Sequence, residues 1–588
     1  MLLRLLFIAV TLSSASLPAF AQTIYPLDRA EILVGSRFDL KVEFPGTPDL
    51  RELKVTINGE DAGKVLGKPP QLTADEDGTG QLAYWLKQVS LPKAGKIKVE
   101  ATAGNKTSVV TWEAFDTPKG RIAKNVILFI GDGMSMAHRT AARMLSKGIV
   151  EGRYGGELAI DDMPYMALVS TAGTDSIITD SANSMSAYTT GHKTCVNAMG
   201  VYCALNKNSL DHPAVETISE LVKRKLGLAV GVVTNTEIED ATPAAMVAHT
   251  RRRMDYDDIV ASFFKVQPEV MMGGGTPNFL PKSNPIGKRA DETDYLAKFR
   301  DAGYAYAQTN TEMLAEAAKP STNKLLGLFN KINVDGVLDR KFLKKGTVPL
   351  YPDQPDLTDQ VRASLQVLSR NEKGFLLMVE SGRIDKYSHS LDWERAVYDT
   401  IMLDNAVAVA KQFAGTREDT LIIVVADHAH PISIIGTYDD AGGASIRDKL
   451  QTYDRAKFPN YEKADAQGYP SSVDVSRRLA VVFAAFPDHC DAGKPHAEGE
   501  NVPALPAPSV QAETDPKVKA IMIANEANCQ IPGSARRMGN LPFTAAVGIH
   551  SGDDVVATAM GPGSDQFHGR IDNTRVFKAM AVALGLGN

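Results

Sequence analysis

The chain has 588 residues, 44% of them hydrophobic and 23% charged, with a formal net charge of −6 and a mean hydropathy of −0.15. That length exceeds one small core and implies several domains, or a large domain with an accessory one. The acidic balance excludes the basic footprint of a nucleic-acid binder. No run approaches the ~20 apolar residues of a membrane span.

Residues 1–21, MLLRLLFIAVTLSSASLPAFA, join Arg4 to a short apolar run from Leu5 to Leu12 and end on Ala19-Phe20-Ala21. This reads as a secretory signal cleaved after Ala21, which makes the mature protein periplasmic or secreted. Export implies an oxidising compartment. Four cysteines admit three connectivities. Local pairing favours Cys195–Cys203 and Cys490–Cys529, with four free buried thiols as the alternative.

Residues 22–118 alternate apolar and polar positions in AEILVGSRFDLKVEF, LRELKVTINGED, KIKVEATAG and TSVVTWEAF, separated by Gly-, Pro- and Asp-rich turns. That pattern predicts a small all-β sandwich, immunoglobulin-like, with no constellation of catalytic residue types. DTPKG at 116–120 reads as a linker.

From 119 to 588 the pattern changes. NVILFI (125–130), GLAVGVVT (227–234), FLLMVE (375–380) and LIIVVAD (421–427) are continuous apolar runs, each followed by a helical pattern. Such runs suit central strands covered on both faces, so the fold class is α/β: an open, mostly parallel sheet with helices on both faces. Stretches of about 276–360 and 436–540 read as insertions, rich in Pro, Gly, Asn and charge.

Ligands of open parallel sheets bind beyond the carboxyl ends of the strands. Each apolar run delivers metal-ligand types there. Asp132 follows the first; Asp240, Thr242 and Arg253 follow the second; Glu380, Asp385 and His389 follow the third; Asp427 and His428 follow the fourth. GIHSGDD adds His550. One aspartate after a strand is usually a turn residue or a helix cap, but four strands repeating the pattern are not explained that way. Carboxylates with imidazoles and no thiolate suit catalytic zinc, and a hydroxyl with carboxylates suits magnesium.

The blocks IGDGM, TDSANS, DATPAAMVAH…R, VESGRIDKYSH, VADHAH and HSGDDV resemble, in order and character, those of the alkaline phosphatase family. The resemblance covers about 121–260, 370–435 and 542–588, and bears on the bacterial members through Asp240 and Lys386. It implies a metal-dependent phosphomonoesterase with two zinc ions and one magnesium ion, releasing inorganic phosphate. By the resemblance, Asp385, His389 and His550 hold the first zinc and Asp132, Asp427 and His428 the second. Asp132, Thr242 and Glu380 hold magnesium. Ser181 is the nucleophile, Arg253 the phosphate contact, and a homodimer is possible.

This accounts for a serine-rich stretch, TDSANSMSAYTTG, with no histidine beside it. A metal, rather than an imidazole, lowers the hydroxyl's pKa. The stretch predicts a helix closed by Gly191, with Ser181 at the N-terminus where phosphate is favoured. Ser184 and Ser186 fall within the helix as structural residues. His430 reads as a residue holding a ligating carboxylate. His138, His249 and His568 read as structural, and His192, His212, His489 and His496 as surface residues. The rival readings are a phosphodiesterase or sulfatase of the same superfamily, and a binding protein on a decayed phosphatase scaffold.

Overall fold

The computed structural model describes residues 22–46, 48–415, 417–496, 502–507 and 520–587; the expected signal peptide lies outside them. No helix among the described residues is long and apolar enough to cross a membrane.

The four apolar runs form the centre of a ten-stranded sheet. Strand Asn125–Gly131 lies between Phe375–Ser381 and Thr420–Val425, and Ala229–Glu237 flanks the far side of Phe375–Ser381, all parallel. Every residue of these strands except Glu237 is buried, as continuous apolar runs require. Two groups of helices cover the sheet. Met136–Lys147, Leu357–Leu368 and Trp393–Ala414 pack together, as do Ser181–Thr190, Ile218–Leu226 and Thr574–Leu584.

The sheet is mixed at one side, where Val555–Met560 runs antiparallel between Thr420–Val425 and Tyr165–Ser170. The other side continues in parallel through Val270–Gly274, Leu325–Leu328 and Ala305–Ala307. The last two strands come from the stretch read as an insertion. They are four and three residues long, too short for a periodic signal. In the stretch 436–540, Leu450–Thr452 and Arg477–Phe483 pair antiparallel with Ile432–Asp439. Both expected disulfides are present, Cys195–Cys203 and Cys490–Cys529.

The N-terminal strands form two sheets, one of four strands and one of five, around Phe38, Leu40, Val99 and the fully buried Trp112. One feature of this region departs from its alternating pattern. In Phe38–Pro45 the polar positions Asp39, Lys41 and Glu43 are also buried, at 4%, 0% and 2% exposure. A loop of the α/β region covers them. Lys41 is hydrogen-bonded to Asn206 and ion-paired with Glu43 and Glu76, and the Leu205 N–H donates to Glu43 Oε1 at 2.8 Å. Tyr202, Ala204 and Val215 complete the sandwich core.

Candidate active site

The carboxyl ends of the central strands gather the expected ligand residues, most of them buried. Asp132 follows the strand Asn125–Gly131, Glu380 lies in Phe375–Ser381, and Asp427-His428 follow Thr420–Val425. Thr242 sits in the short helix Ala241–Ala244, capped by Asp240. Asp385 and His389 share the helix Arg383–His389, one turn apart on one face. The turn after Asp132 needs a glycine. Gly133 has φ +66°, and a Cβ there would meet His430 Cδ2 at 2.7 Å and Asp385 Cβ at 3.2 Å.

Two sets of ligand atoms lie within 4.8 Å of one another: Asp385, His428, His430 and His550, and Asp132, Asp427 and His428. His430 is the member of the first set that sequence reasoning placed outside it. Its Nε2 meets Asp385 Oδ1 at 2.7 Å, a carboxylate expected to be a ligand. His389 Nε2 lies 3.3 Å from the same oxygen.

The tautomers of two imidazoles follow from their partners. His389 Nδ1–H donates to the Gly548 carbonyl at 2.6 Å, and His550 Nδ1–H donates to the Thr179 carbonyl at 2.8 Å. A carbonyl only accepts, so in each neutral ring the proton sits on Nδ1 and Nε2 presents its lone pair inward. Those two atoms are 3.1 Å apart, and His550 Nε2 is 3.3 Å from Asp385 Oδ1. Lone pairs and a carboxylate converging in this way form a cation site by their chemistry. The side chains of His389 and His550 are 29% and 14% exposed, against 4% or less for Asp132, Asp385, Asp427 and His428, so the site opens on their side.

The oxygens of the deeper part point the same way. Asp132 Oδ1, Asp427 Oδ2 and Thr242 Oγ1 are buried with no hydrogen-bond partner among the described residues. Buried polar atoms are seldom left so. The second Asp427 oxygen is held by the Gly133 and His428 N–H groups at 3.1 and 2.9 Å. Glu380 accepts from Thr234 Oγ1 and, at 3.2 Å, from Thr236 Oγ1; sequence reasoning missed both.

The electrostatics are those of crowded acids. Burial, and then Asp427, Asp385 and Glu380, push the Asp132 carboxyl well above its usual range. Burial lifts Glu380 to about 7 and Asp427 to about 6. Burial opposes ionisation of Asp385 as well, but His389, His430 and His550 hold it well below the carboxylate range. Burial drives His428 far down, so its imidazole is neutral and able to act as a ligand.

Ser181 is 3% exposed and opens the helix Ser181–Thr190, capped by Asp180 and closed by Gly191 in the left-handed region. Its Oγ lies 3.3 Å from His428 Nε2. Ser184 Oγ is bonded to the Asp427 carbonyl, and Ser186 Oγ accepts from the Gly200 N–H at 3.0 Å, so both are structural. Arg253 donates to Asp240 at 2.8 Å and Asp180 at 3.3 Å, and Lys386 donates to Asp240 at 2.7 Å. Burial opposes the charge on Arg253, but Asp240 and Asp180 more than compensate and raise its pKa.

Four histidines read as surface residues, His192, His212, His489 and His496, are buried, and His568, read as structural, is exposed. His192 donates to or accepts from Tyr202 at 2.6 Å, and His496 donates to the Ser390 carbonyl at 2.7 Å. Their partners lie 10 and 106 residues away, one a backbone carbonyl, which sequence spacing does not display.

An open α/β sheet with carboxylate–imidazole clusters beyond its strand ends, and a hydroxyl at a helix N-terminus beside them, is the architecture of a metal-dependent hydrolytic enzyme. A family profile described as alkaline phosphatase matches residues 123–586. The chain is 33% identical over 393 residues to an alkaline phosphatase of Escherichia coli, covering 60% of this chain and 79% of that one. It is 28% identical over 501 residues to the tissue-nonspecific isozyme of Gallus gallus, covering 79% and 85%. Among solved structures, Thermus thermophilus alkaline phosphatase superposes with a TM-score of 0.57 at 25% identity, over 80% of this chain and 93% of that one. The enzyme of the Antarctic bacterium TAB5 shares the fold, with a TM-score of 0.52 at 19% identity over 80% and 100%. The chain belongs to the alkaline phosphatase family and is an enzyme, a phosphomonoesterase.

Proposed function

We propose that this site hydrolyses phosphate monoesters through a phosphoserine on Ser181, with two zinc ions and one magnesium ion as resident cations. Asp385, His389 and His550 would hold one zinc, and Asp132, Asp427 and His428 the other. Asp132, Thr242 and Glu380 would hold magnesium. The observation that carries this reading is the set of three buried oxygens without a hydrogen-bond partner among the described residues, Asp132 Oδ1, Asp427 Oδ2 and Thr242 Oγ1, all within the proposed ligand set and the first two facing His428 Nε2. When bound, the cations neutralise the crowded carboxylates, ease deprotonation of the serine and stabilise charge on the entering and leaving oxygens.

The chain's own residues supply the rest. The N–H groups at the head of Ser181–Thr190 favour the phosphoryl group beside Ser181. Arg253 presents a guanidinium fork, held by Asp180 and Asp240, to two phosphoryl oxygens. Lys386 fixes Asp240, and His430 fixes Asp385. Ser181 Oγ forms a bond to phosphorus as the ester P–O bond breaks, and the alcohol departs with a proton. Water then cleaves the phosphoserine, restoring Ser181 and releasing inorganic phosphate.

A second reading makes His428 the general base for Ser181, from the 3.3 Å contact. It is weakened at the far nitrogen. His428 Nδ1 has no hydrogen-bond partner among the described residues, whereas a serine–histidine pair needs that nitrogen oriented. We further infer an exported protein, consistent with its two disulfides, with 22–118 as a sandwich domain and 119–588 as the catalytic domain.

Hydrolysis of p-nitrophenyl phosphate and of its bis-ester, with and without chelator, tests the reading. The monoester should be strongly preferred, and activity should vanish on chelation and return with zinc plus magnesium. Full activity in metal-free protein would restore the His428 base; a preference for the bis-ester would point to a phosphodiesterase.

A further inference from the structure

The run Arg251-Arg252-Arg253 leaves two arginines that the reaction above does not use. Arg252 is exposed, and its nearest carboxylate, Asp255, is 3.9 Å away. That acid already accepts from Ser209 Oγ at 2.6 Å and Thr250 Oγ1 at 2.8 Å. Arg251 donates from Nη1 to the Val196 carbonyl at 2.9 Å. Together with Arg253, they line a groove of ≈ 360 Å³ shared with Lys207, Asn197 and His212, and no carboxylate lines it.

His212 adds an independent observation. It is 4% exposed, and neither ring nitrogen has a hydrogen-bond partner among the described residues. Burial, then Lys41 and Arg251, depress its pKa to about 4, against the weaker pull of Asp211 and Asp77. The ring is therefore neutral in positive surroundings, with an N–H free to donate to an anion.

The groove joins the reaction site through two hydrogen bonds. The Arg253 N–H donates to the Asn197 carbonyl at 2.9 Å, and the Asn197 N–H donates to Asp180 Oδ2 at 3.2 Å. Asp180 caps the helix that Ser181 begins, and the Arg253 guanidinium reaches the same carboxylate oxygen. A substrate whose phosphoryl group lies against Arg253 thus has Arg251, Arg252 and Lys207 next to it, which form no ion pair shorter than 3.9 Å among the described residues.

We propose that this groove binds a second phosphate group of the substrate, so that the enzyme prefers bisphosphate esters to monoesters of neutral alcohols. The proposal rests on Arg253 and Ser181 marking the reacting phosphoryl group. Arginine and lysine at a groove without acids recognise phosphate by charge-assisted hydrogen bonds.

The test compares kcat/KM for α,ω-alkanediol bisphosphates and the matching monophosphates, using the holoenzyme and the double variant Arg252→Glu/Lys207→Glu. Both side chains are exposed and Arg253 is untouched, so folding and monophosphate turnover serve as internal controls. Wild type should favour the bisphosphate by about ten-fold, the yield of one or two charge-assisted contacts. The variant should lose that preference while its monophosphate kcat/KM changes by less than about two-fold, and added salt should erode the wild-type preference. A wild type without preference, or a preference that survives in the variant, overturns the subsite. If neither ester is hydrolysed, the phosphatase reading fails by itself. Calorimetric titration of both proteins with the matching alkane bisphosphonate then decides the groove: equal or absent binding refutes it, and binding lost in the variant supports it.

Discussion

Arg395 and the strand-end carboxylates are equally buried, yet their surroundings treat them in opposite ways. Arg395 donates to both oxygens of Asp339 at 2.9 Å, to Asp392 at 2.5 Å and to the His496 carbonyl at 3.0 Å. Every charge in that cluster meets its opposite. At the strand ends, acids crowd against acids, and three oxygens meet no hydrogen-bond donor among the described residues. Both arrangements desolvate charge, and only the first resolves it within the protein. Burial of charge alone therefore does not mark the site; the convergence of several unpartnered oxygens beyond the strand ends does.

That contrast breaks if the two clusters respond alike to mutation. The largest expected effect is on activity at the strand ends. Asp427→Asn should lower kcat/KM on the order of 10³-fold, since metal stabilisation of the transition state is worth several kcal/mol. In metal-free protein the same change should leave thermal stability unchanged or improved, because it removes a carboxyl that burial has lifted to about 6. Asp339→Ala should do the reverse. Leaving Arg395 with less counter-charge should cost about 3–5 kcal/mol of stability, seen as a lower denaturation midpoint, with kcat/KM per folded molecule preserved.

Arg253 stands between the two cases, paired to Asp180 and Asp240 yet 19% exposed toward a substrate. Arg253→Ala should cost about 2–3 kcal/mol of phosphoryl binding, or roughly 30- to 150-fold in kcat/KM. Much of it should appear in KM and in weaker phosphate inhibition. Arg251→Ala and Arg252→Ala should change turnover of a simple monoester little.

The smallest effect sharpens the comparison through pH. His249 Nε2 and Glu220 pair at 3.0 Å, resolved as Arg395 is. Burial opposes both charges. Even so, Glu220 raises the His249 pKa, and His249 holds Glu220 down to about 2. A raised histidine pKa stabilises the fold fully below its unfolded value of about 6.5, and this is lost as pH rises through the higher folded value. The depressed Glu220 contributes above about 4.5, and its share disappears as pH falls toward 2. The stability difference between wild type and His249→Gln should thus be largest near pH 5, about 1 kcal/mol, and should shrink above pH 7. Denaturation midpoints across that range measure it.

How much of this was legible in the sequence varies with the physics. The central strands were, because burial on both faces demands unbroken apolar runs. The helix at Ser181 was, because Gly191 closes it; its cap, Asp180, came from the structure. The ligands were legible as residue types at strand ends, and their grouping came from the resemblance. What escaped depends on distant chain. The Gly548 and Thr179 carbonyls that aim His389 and His550 carry no side-chain signal. The edge strands Ala305–Ala307 and Leu325–Leu328 are too short for one. Asp39, Lys41 and Glu43 alternate as a solvent face should, and the loop around Asn206, with Trp85 and Glu76, covers them.

The central claim is that Ser181 carries the phosphoryl group between ester and water. The most direct measurement is acid-quenched turnover of a phosphate monoester by the holoenzyme, followed by peptide mass spectrometry. The predicted result is a phosphate ester on Ser181 during turnover, absent from Ser181→Ala, whose kcat should fall by orders of magnitude with the covalent route removed. Sustained turnover with Ser181 unmodified, and an undiminished Ser181→Ala enzyme, would contradict it.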